Sequence, residues 1–250
     1  MLLDKIVKHK LKEIKCQKVL TNPNSPKIRD FTAAIKKEDT INLIAEIKHF
    51  SPSHPSLFFK GPIEKIALDY QKAGVAAISV VTDEQFFGGS FENLLSVKKK
   101  VNIPVLCKDF IFDEIQIKKA RAYGADAILL IARILEKEKF KKLHRFAVSL
   151  GLSCLVEVHD EKDLKKIMLP EVKIIGINNR NLDTLKIDLN IAARLRKLIP
   201  DNKFVVSESG IKNVRDIKKI RSFGINTFLI GENILSAPNR VKKIKEFRLA

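Results

Sequence analysis

Apolar residues in this chain form short runs that alternate with longer amphipathic segments. The stretch Ile41–Ser53 begins with such a run, which is bounded by polar sequence and suits a strand buried on both faces. Comparable runs recur along the chain, and each is followed by a segment with helical periodicity. The predicted strands are Asn42–Ile47, Ala76–Val81, Ile103–Cys107, Ala127–Ile131, Ser153–Val158, Lys173–Ile177, Phe204–Ser207 and Thr227–Ile230.

One predicted helix follows each strand, and Gly or Pro often marks the turn to the next strand. Eight strand–helix units in a row favour parallel strands with right-handed crossovers. Units of about 25 residues fit a closed (β/α)8 barrel, and the alternative, an open doubly wound sheet, lacks its Gly-rich fingerprint after the first strand. The predicted helices are Pro62–Ala73, Phe91–Lys99, Asp113–Tyr123, Glu136–Leu150, Glu161–Met168, Asp188–Leu198, Val214–Phe223 and Arg240–Phe247.

The residues before the first strand contain two further predicted helices, about Leu2–Val19 and Arg29–Lys37, joined by the turn-rich sequence T-N-P-N-S-P. The chain shows no linker and no low-complexity tract. We therefore predict a single α/β domain, residues 1–250, in which a helical extension (1–40) precedes the barrel (41–250).

The composition of the 250 residues, 45% hydrophobic and 30% charged, is that of a globular protein with a substantial core. The apolar runs are shorter than the roughly 20 residues that span a bilayer, and the N-terminus lacks the apolar region of a signal peptide. We expect a cytoplasmic protein with no membrane partner. Three cysteines far apart in sequence indicate neither a disulfide framework nor a zinc site.

The net charge of +18 raises the alternative of a non-catalytic barrel that binds nucleic acid. Its basic residues are mostly lysines on predicted helix faces, as in Val97–Lys100, Lys118–Arg121 and Lys137–Lys142, without aromatic residues interleaved. We interpret them as a solvated surface and expect no nucleic-acid partner. The positive field would still attract an anionic small molecule.

Polar side chains recur at the C-terminal ends of the predicted strands, where barrels of this type form their active sites. Glu46 and Lys48 are two residues apart, so they point to the same side of their strand. Burying an unpaired charge costs on the order of several kcal/mol, so this recurrence indicates an acid–base site rather than separate structural ion pairs. The other polar residues at these ends are Ser51, Lys108, Glu157, Asn178, Arg180, Glu208, Ser209 and Glu232, and the glycines that accompany them are Gly210 and Gly231.

The turns after the last two strands indicate the kind of ligand. Ser209-Gly210 and Gly231 offer backbone N–H groups where this fold usually binds phosphate. We therefore predict a phosphorylated small-molecule substrate. The five histidines show no metal-binding spacing, and no metal is required by this chemistry.

Six motifs resemble those of the indole-3-glycerol phosphate synthase family, in the same order and over essentially the whole chain. They are I-A-E-I-K-H-F-S-P-S, F-F-G-G-S-F-E-N-L, C-K-D-F-I, L-V-E-V-H, I-G-I-N-N-R-N-L and S-E-S-G-I. The resemblance implies ring closure of 1-(2-carboxyphenylamino)-1-deoxy-D-ribulose 5-phosphate with loss of CO2 and water. It implies a step of tryptophan synthesis that uses no cofactor.

The resemblance also implies roles for individual residues. Lys108 would be the general acid that protonates the ketone oxygen. Lys48 would pair with the substrate carboxylate, which positions the ring for attack. Glu157 would handle the proton of the dehydration step, with Asn178 orienting it.

The same resemblance assigns the rest of the site. The remaining catalytic positions are Glu46 and Glu208, which would tune the lysines, and Ser209, which also belongs to the phosphate-binding set. The implied phosphate-binding residues are Ser209, Gly210, Gly231 and Glu232, the polar substrate contacts are Ser51 and Arg180, and the apolar contacts are Phe87, Phe110, Leu129 and Leu182.

Three further expectations follow. A related enzyme, phosphoribosylanthranilate isomerase, would need an Asp/Cys pair, but Cys107 precedes Lys108 on its strand and should point away from the lumen.

The family loop S-P-S-x-G is replaced here by Ser51-Pro52-Ser53-His54-Pro55, which should follow another path because proline cannot take a positive φ. We expect a monomer, with association with other tryptophan-pathway enzymes as an alternative.

Overall fold

Eight parallel strands form a closed barrel in a computed structural model that describes residues 2–16, 25–37, 40–52, 55–56, 59, 61–182 and 184–250. Each strand pairs with the next one in the sequence, and the eighth pairs with the first. The predicted (β/α)8 fold with an N-terminal helical extension is confirmed. The strands are β1 Asn42–Ile47, β2 Ala77–Val81, β3 Val105–Lys108, β4 Ala127–Ile131, β5 Ser153–Val158, β6 Ile174–Asn178, β7 Phe204–Glu208 and β8 Thr227–Ile230.

Helices follow the strands as predicted, with ends that differ by a few residues. Local capping sets several starts: Asp113 and Asn213 both form capping boxes at the first turn. The helices are α1 Leu2–Cys16, α2 Phe31–Ile35, α3 Ile63–Lys72, α4 Glu84–Phe87, α5 Phe91–Lys100, α6 Glu114–Ala122, α7 Lys137–Ser149, α8 Glu161–Ile167, α9 Asn190–Arg196, α10 Val214–Arg221, α11 Glu232–Leu235 and α12 Arg240–Arg248, with a 3₁₀ turn at Ala132–Ile134.

Successive side chains of each strand point to opposite faces of the sheet, so the hydrophobic core has two parts. Residues such as Leu43, Val80 and Leu130 point outward and pack with the helices in the larger cluster. Their neighbours, including Ile44 and Leu129, belong to a second cluster inside the barrel. Both faces of each strand are therefore covered, which explains why the strand sequences are almost continuously apolar.

The short helix α2 closes the barrel at the N-terminal ends of the strands. Phe31 and Ile35 are buried and belong to the inner cluster. The Oγ1 of Thr227, the first residue of β8, donates to the carbonyl of Ile35 at 2.9 Å. Thr32 Oγ1 lies 3.3 Å from Oγ of Ser153 at the start of β5. Because this end is filled, access to the lumen is left at the opposite mouth.

Three expectations from the sequence need comment. The prediction of a solvated basic face at Val97–Lys100 is wrong for Lys98, which is buried. Its Nζ lies 2.5 Å from Oδ1 of Asp126, and that carboxylate is buried beside it. Asp126 also accepts from the backbone N–H of Val105. Cys107 lies in the outer cluster, so it does point away from the lumen as predicted. The predicted helix end near Val19 falls outside the described residues. In the part of the chain that is described, helices fall short of the length and apolar content that a membrane crossing needs.

The closure by α2 predicts a large stability effect. Phe31→Ala should lower the free energy of unfolding by about 3 to 5 kcal/mol, because it removes a fully buried aromatic ring and leaves a cavity. Val148→Ala, at a side chain that is 54% exposed on α7, should change it by less than about 0.5 kcal/mol. Urea unfolding measured by circular dichroism tests this. Equal effects of the two substitutions would contradict the role given to α2.

Candidate active site

A cavity of about 260 Å³ opens at the C-terminal ends of the strands. The structure brings to it every residue that the sequence analysis placed in the site. They are Glu46, Lys48, Ser51, Phe87, Lys108, Phe110, Leu129, Glu157, Asn178, Arg180, Leu182, Glu208, Ser209, Gly210, Gly231 and Glu232. Their individual roles stay predictions, but their assembly into one cavity is a fact of the fold.

The centre of the cavity is the ammonium group of Lys108, the last residue of β3. Its Nζ lies 3.7 Å from Glu157 Oε2 and 3.9 Å from both Glu46 Oε2 and Glu208 Oε2. A second ammonium, that of Lys48, lies 2.9 Å from Glu46 Oε1. The two lysine side chains are 20% and 14% exposed, so a bound molecule can reach both.

These groups strongly change each other's proton affinity. Burial disfavours the charged form of Lys108, but the three carboxylates outweigh burial and raise its pKa. Burial likewise disfavours ionisation of Glu46, whose pKa is nevertheless lowered by Lys48 and Lys108. In the same surroundings, the pKa values of the Glu157 and Glu208 carboxyl groups shift in opposite directions.

Burial opposes the charge of Glu157, but Lys108 and the adjacent His159 hold its pKa well below the usual range. For Glu208, burial and the charge of Glu157 dominate, and they raise the pKa to about 8. The site therefore holds two ionised carboxylates, Glu46 and Glu157, and one carboxyl group, Glu208, that keeps its proton near neutrality. Such a separation of pKa values is typical of acid–base sites.

Two glycines make room for this charge cluster. A Cβ on Gly176, in β6, would lie 2.1 Å from Glu208 Oε1, and one on Gly231, after β8, would lie 2.6 Å from Glu46 Oε1. Both positions face the lumen. The missing side chains allow the carboxylates to reach Lys108 across the barrel.

The turn after β7 has a backbone suited to bringing N–H groups toward a ligand. Ser209 and Gly210 both have positive φ values, 64° and 83°. The amide of Asn179 fixes this turn by donating to the carbonyls of Glu208 and Ser209 at 3.0 and 3.2 Å. After the neighbouring strand β8, Gly231 directly precedes α11. Phosphate sites of this fold are commonly found at these two turns.

The other side of the cavity is apolar. The rings of Phe87 and Phe110 lie with their centroids 6.1 Å apart. Sequence reasoning missed part of this wall: the first turns of α1 contribute Leu2, Leu3 and Ile6. The signal was present as an amphipathic stripe, but the pattern alone did not show which surface the helix would cover.

A buried lysine fixes α1 over the barrel mouth. Lys10 Nζ lies 2.9 Å from Asp109 Oδ1 and 3.1 Å from Asp83 Oδ2, and its side chain is 1% exposed. Burial opposes its charge, but Asp109 and Asp83 outweigh it and raise the pKa of Lys10. Asp109 follows Lys108 directly and also accepts from Thr82 Oγ1 at 2.7 Å. The helix is thereby tied to the strand end that carries the central lysine.

Two expectations concern features that the structure describes only in part. Ser53 and His54, in the departing loop after β1, lie outside the described residues. Across the ranges that are described, His, Cys, Asp and Glu side chains nowhere gather into a group of three suited to a metal ion. Metal-free chemistry stays a prediction.

Taken together, the closed barrel and the lysines and carboxylates at its C-terminal mouth define an enzyme of the TIM-barrel class. The model of one enzyme family, described as indole-3-glycerol phosphate synthase, matches residues 3–247. The chain therefore belongs to the indole-3-glycerol phosphate synthase family.

Curated relatives agree with this assignment. Proteins named indole-3-glycerol phosphate synthase from Campylobacter fetus and Alkaliphilus metalliredigens are 41% and 40% identical to the chain. The alignments cover 97% and 99% of this chain and 93% and 98% of those proteins. A solved structure of thiamine phosphate pyrophosphorylase from Pyrococcus furiosus has a TM-score of 0.60 at 13% identity, covering 83% of this chain and 93% of that one. That likeness shows the fold alone.

The Lys10 contacts predict a stability effect that depends on pH. Lys10→Met should lower the free energy of unfolding by about 3 to 5 kcal/mol at pH 7, because it leaves buried carboxylates without a cation. The loss should shrink toward pH 4.5, since burial already raises the pKa of Asp83 and protonation removes its charge. Lys12→Met, at an exposed position of the same helix, is the matched control. Equal losses at both pH values would contradict this account.

The raised pKa of Glu208 predicts a second pH dependence. The unfolded chain releases this proton near pH 4.5, whereas the folded chain keeps it up to about pH 8, so this group destabilises the fold progressively as the pH rises between these values. Glu208→Gln removes that penalty. The free energy of unfolding of the variant minus that of the wild type should therefore increase from pH 5 to about pH 8 and then level off. Urea unfolding across this range provides the measurement, and a difference independent of pH would contradict the raised pKa.

Proposed function

We propose that this chain closes the ring of 1-(2-carboxyphenylamino)-1-deoxy-D-ribulose 5-phosphate, with loss of CO2 and water, to give indole-3-glycerol phosphate. The observation that carries the proposal is the Lys108 ammonium within 4 Å of three carboxylates, beside a second lysine at the cavity mouth. The family membership of the chain supports the same reaction.

The cavity has the two different halves that this substrate requires. Its flat anthranilate ring would lie against the apolar wall that includes Phe87, Phe110 and Leu182. The phosphate would bind at the turns of Ser209-Gly210 and Gly231, where backbone N–H groups suit an anion. Because the two binding regions are separated by the charge cluster, the reacting carbon atoms would lie near the lysines.

The first chemical step joins the aromatic carbon that carries the carboxylate to the ketone carbon. Lys108 would donate a proton to the ketone oxygen as the carbon–carbon bond forms, which prevents an unstable alkoxide. Lys48 would hold the substrate carboxylate and so keep the ring in position for attack. CO2 then leaves, and its bonding electrons restore the aromatic ring.

The second step removes water from the ring-closed alcohol. Glu157, which is held ionised, would take the proton from the carbon next to the nitrogen, while the hydroxyl group leaves with a proton from an acid in the site. Asn178 faces the same cavity and accepts from the N–H of Arg180 at 3.0 Å, so its amide is fixed near Glu157. The ionised Glu46 would keep Lys108 protonated, and Glu208 would help to hold the lysine in place.

The cellular setting is part of the proposal. A monomer in the cytoplasm is the simplest form of such an enzyme, and association with other enzymes of tryptophan synthesis is the alternative. The substrate is a small anion, and the net charge of +18 would attract it over distances of about a Debye length.

A fluorescence assay of indole-glycerol phosphate formation tests the proposed reaction. Wild type should form the product, and Lys108→Ala should lower kcat by about a hundredfold or more, the size of a lost general acid. Lys139→Ala, which removes an exposed lysine of α7, should leave the rate unchanged. Absence of product with wild type would refute the proposed reaction, whereas full activity of Lys108→Ala would refute only the role of that lysine.

A further inference from the structure

A buried histidine lies directly behind the carboxylate of Glu157. His159 follows β5, and its side chain is 2% exposed and does not line the cavity in the described structure. Its Nε2 lies 3.1 Å from Glu157 Oε1, and its Nδ1 lies 3.4 Å from Asp163 Oδ2. Glu157 is thus approached by Lys108 at one oxygen and by His159 at the other.

The position of both ring nitrogens determines the protonation state that fits. A neutral imidazole has one N–H donor and one acceptor nitrogen, so it would direct a lone pair at one of the two carboxylates. Neither nitrogen meets hydrogen-bond geometry, but both lie at ion-pair distance from a carboxylate. An imidazolium carries a proton on both nitrogens and so presents positive charge to both carboxylates. The geometry therefore favours the charged form.

The charged groups around His159 support the same state. From its own strand it faces Glu157, and from α8 it faces Asp163, whose carboxylate also accepts from the backbone N–H of His159 at 3.2 Å. From the 3₁₀ turn, Arg133 Nε lies 3.4 Å from Asp163 Oδ2, and this arginine also pairs with Asp160.

Two further groups act across the barrel. Lys108, on β3, contacts the other oxygen of Glu157, and Glu208, on β7, lies close enough for the charge of His159 to affect its pKa. Burial opposes the charge of His159, yet Asp163 and Glu157 together raise its pKa to about 9. His144, on α7, is equally buried, but there burial prevails and lowers the pKa.

We propose that His159 is a positioning residue, an imidazolium held between Asp163 and Glu157 that keeps the Glu157 carboxylate ionised and fixed for its proton transfer. This inference rests on the proposed function only for the step that Glu157 performs. The Asp163–His159–Glu157 array is a property of the fold that can be tested without turnover. His159 would thus act from behind the cavity, through Glu157, which lines it.

The first experiment measures the charge of His159 directly. Nitrogen-15 NMR of the imidazole groups, assigned with His159→Gln and His144→Gln, should show His159 doubly protonated at pH 7 and titrating near pH 9, while His144 is neutral. Asp163→Asn should lower the titration midpoint of His159 by about one unit or more, because it removes one of the two facing carboxylates. A neutral His159 at pH 7 would overturn the proposal, whether or not the protein forms product.

The second experiment separates positioning from simple packing. His159→Gln should lower kcat by about tenfold to a hundredfold, because it removes the cation beside the Glu157 carboxylate, while KM changes by less than about twofold. Asp163→Asn should keep wild-type kcat at pH 6, where His159 is still protonated, and fall about threefold or more below wild type at pH 8.5, where more of His159 is neutral in the variant. Equal losses at the two pH values, or an unchanged kcat in His159→Gln, would overturn the proposed role of His159.

Discussion

The site depends on mutual compensation among buried charges. Lys108 lies within 4 Å of three carboxyl groups that are each less than a tenth exposed. Burying any one of the charged groups without a partner would cost several kcal/mol. The closed barrel supplies the geometry, because β1, β3, β5 and β7 direct one charged residue each into the same lumen. A rigid backbone thus maintains an arrangement that flexible side chains on a surface would not keep.

The rest of the molecule isolates this cluster from solvent. The helix α2 fills the N-terminal end of the barrel, and α1 brings an apolar stripe to the opposite mouth. Lowering the local dielectric strengthens every interaction between the charges that remain. The same isolation explains why neighbouring carboxyl groups in one cavity differ so much in proton affinity.

Much of this architecture could be predicted because the strand pattern is unusually regular. Buried parallel strands read as apolar runs, so a charge at a strand end, such as Lys108 or Glu157, is conspicuous. The one-turn helices Glu84–Phe87 and Glu232–Leu235 were missed because four residues carry no helical periodicity. Most strand and helix ends were correct within a few residues, which reflects local capping and turn signals.

Buried cations were the harder case. Lys10 and Lys98 lie on helices rich in exposed lysines, and their burial depends on carboxylates, Asp109 and Asp126, that are distant in sequence. His159 could have been found, since it is two residues after Glu157 and four before Asp163. The motif L-V-E-V-H placed it beside the site, but its second carboxylate was visible only in the folded chain.

The anchoring of α1 by Lys10 also affects how the chain can acquire its shape during synthesis. The helix precedes its acidic partners in the sequence, because Asp83 and Asp109 follow only after β2 and β3 have been made. Until then the apolar stripe has no surface to cover, and β1 likewise awaits β8, its neighbour on one side. Folding therefore relies on contacts between distant parts of the sequence. Such contacts are associated with slow folding and with transient exposure of hydrophobic, aggregation-prone surface.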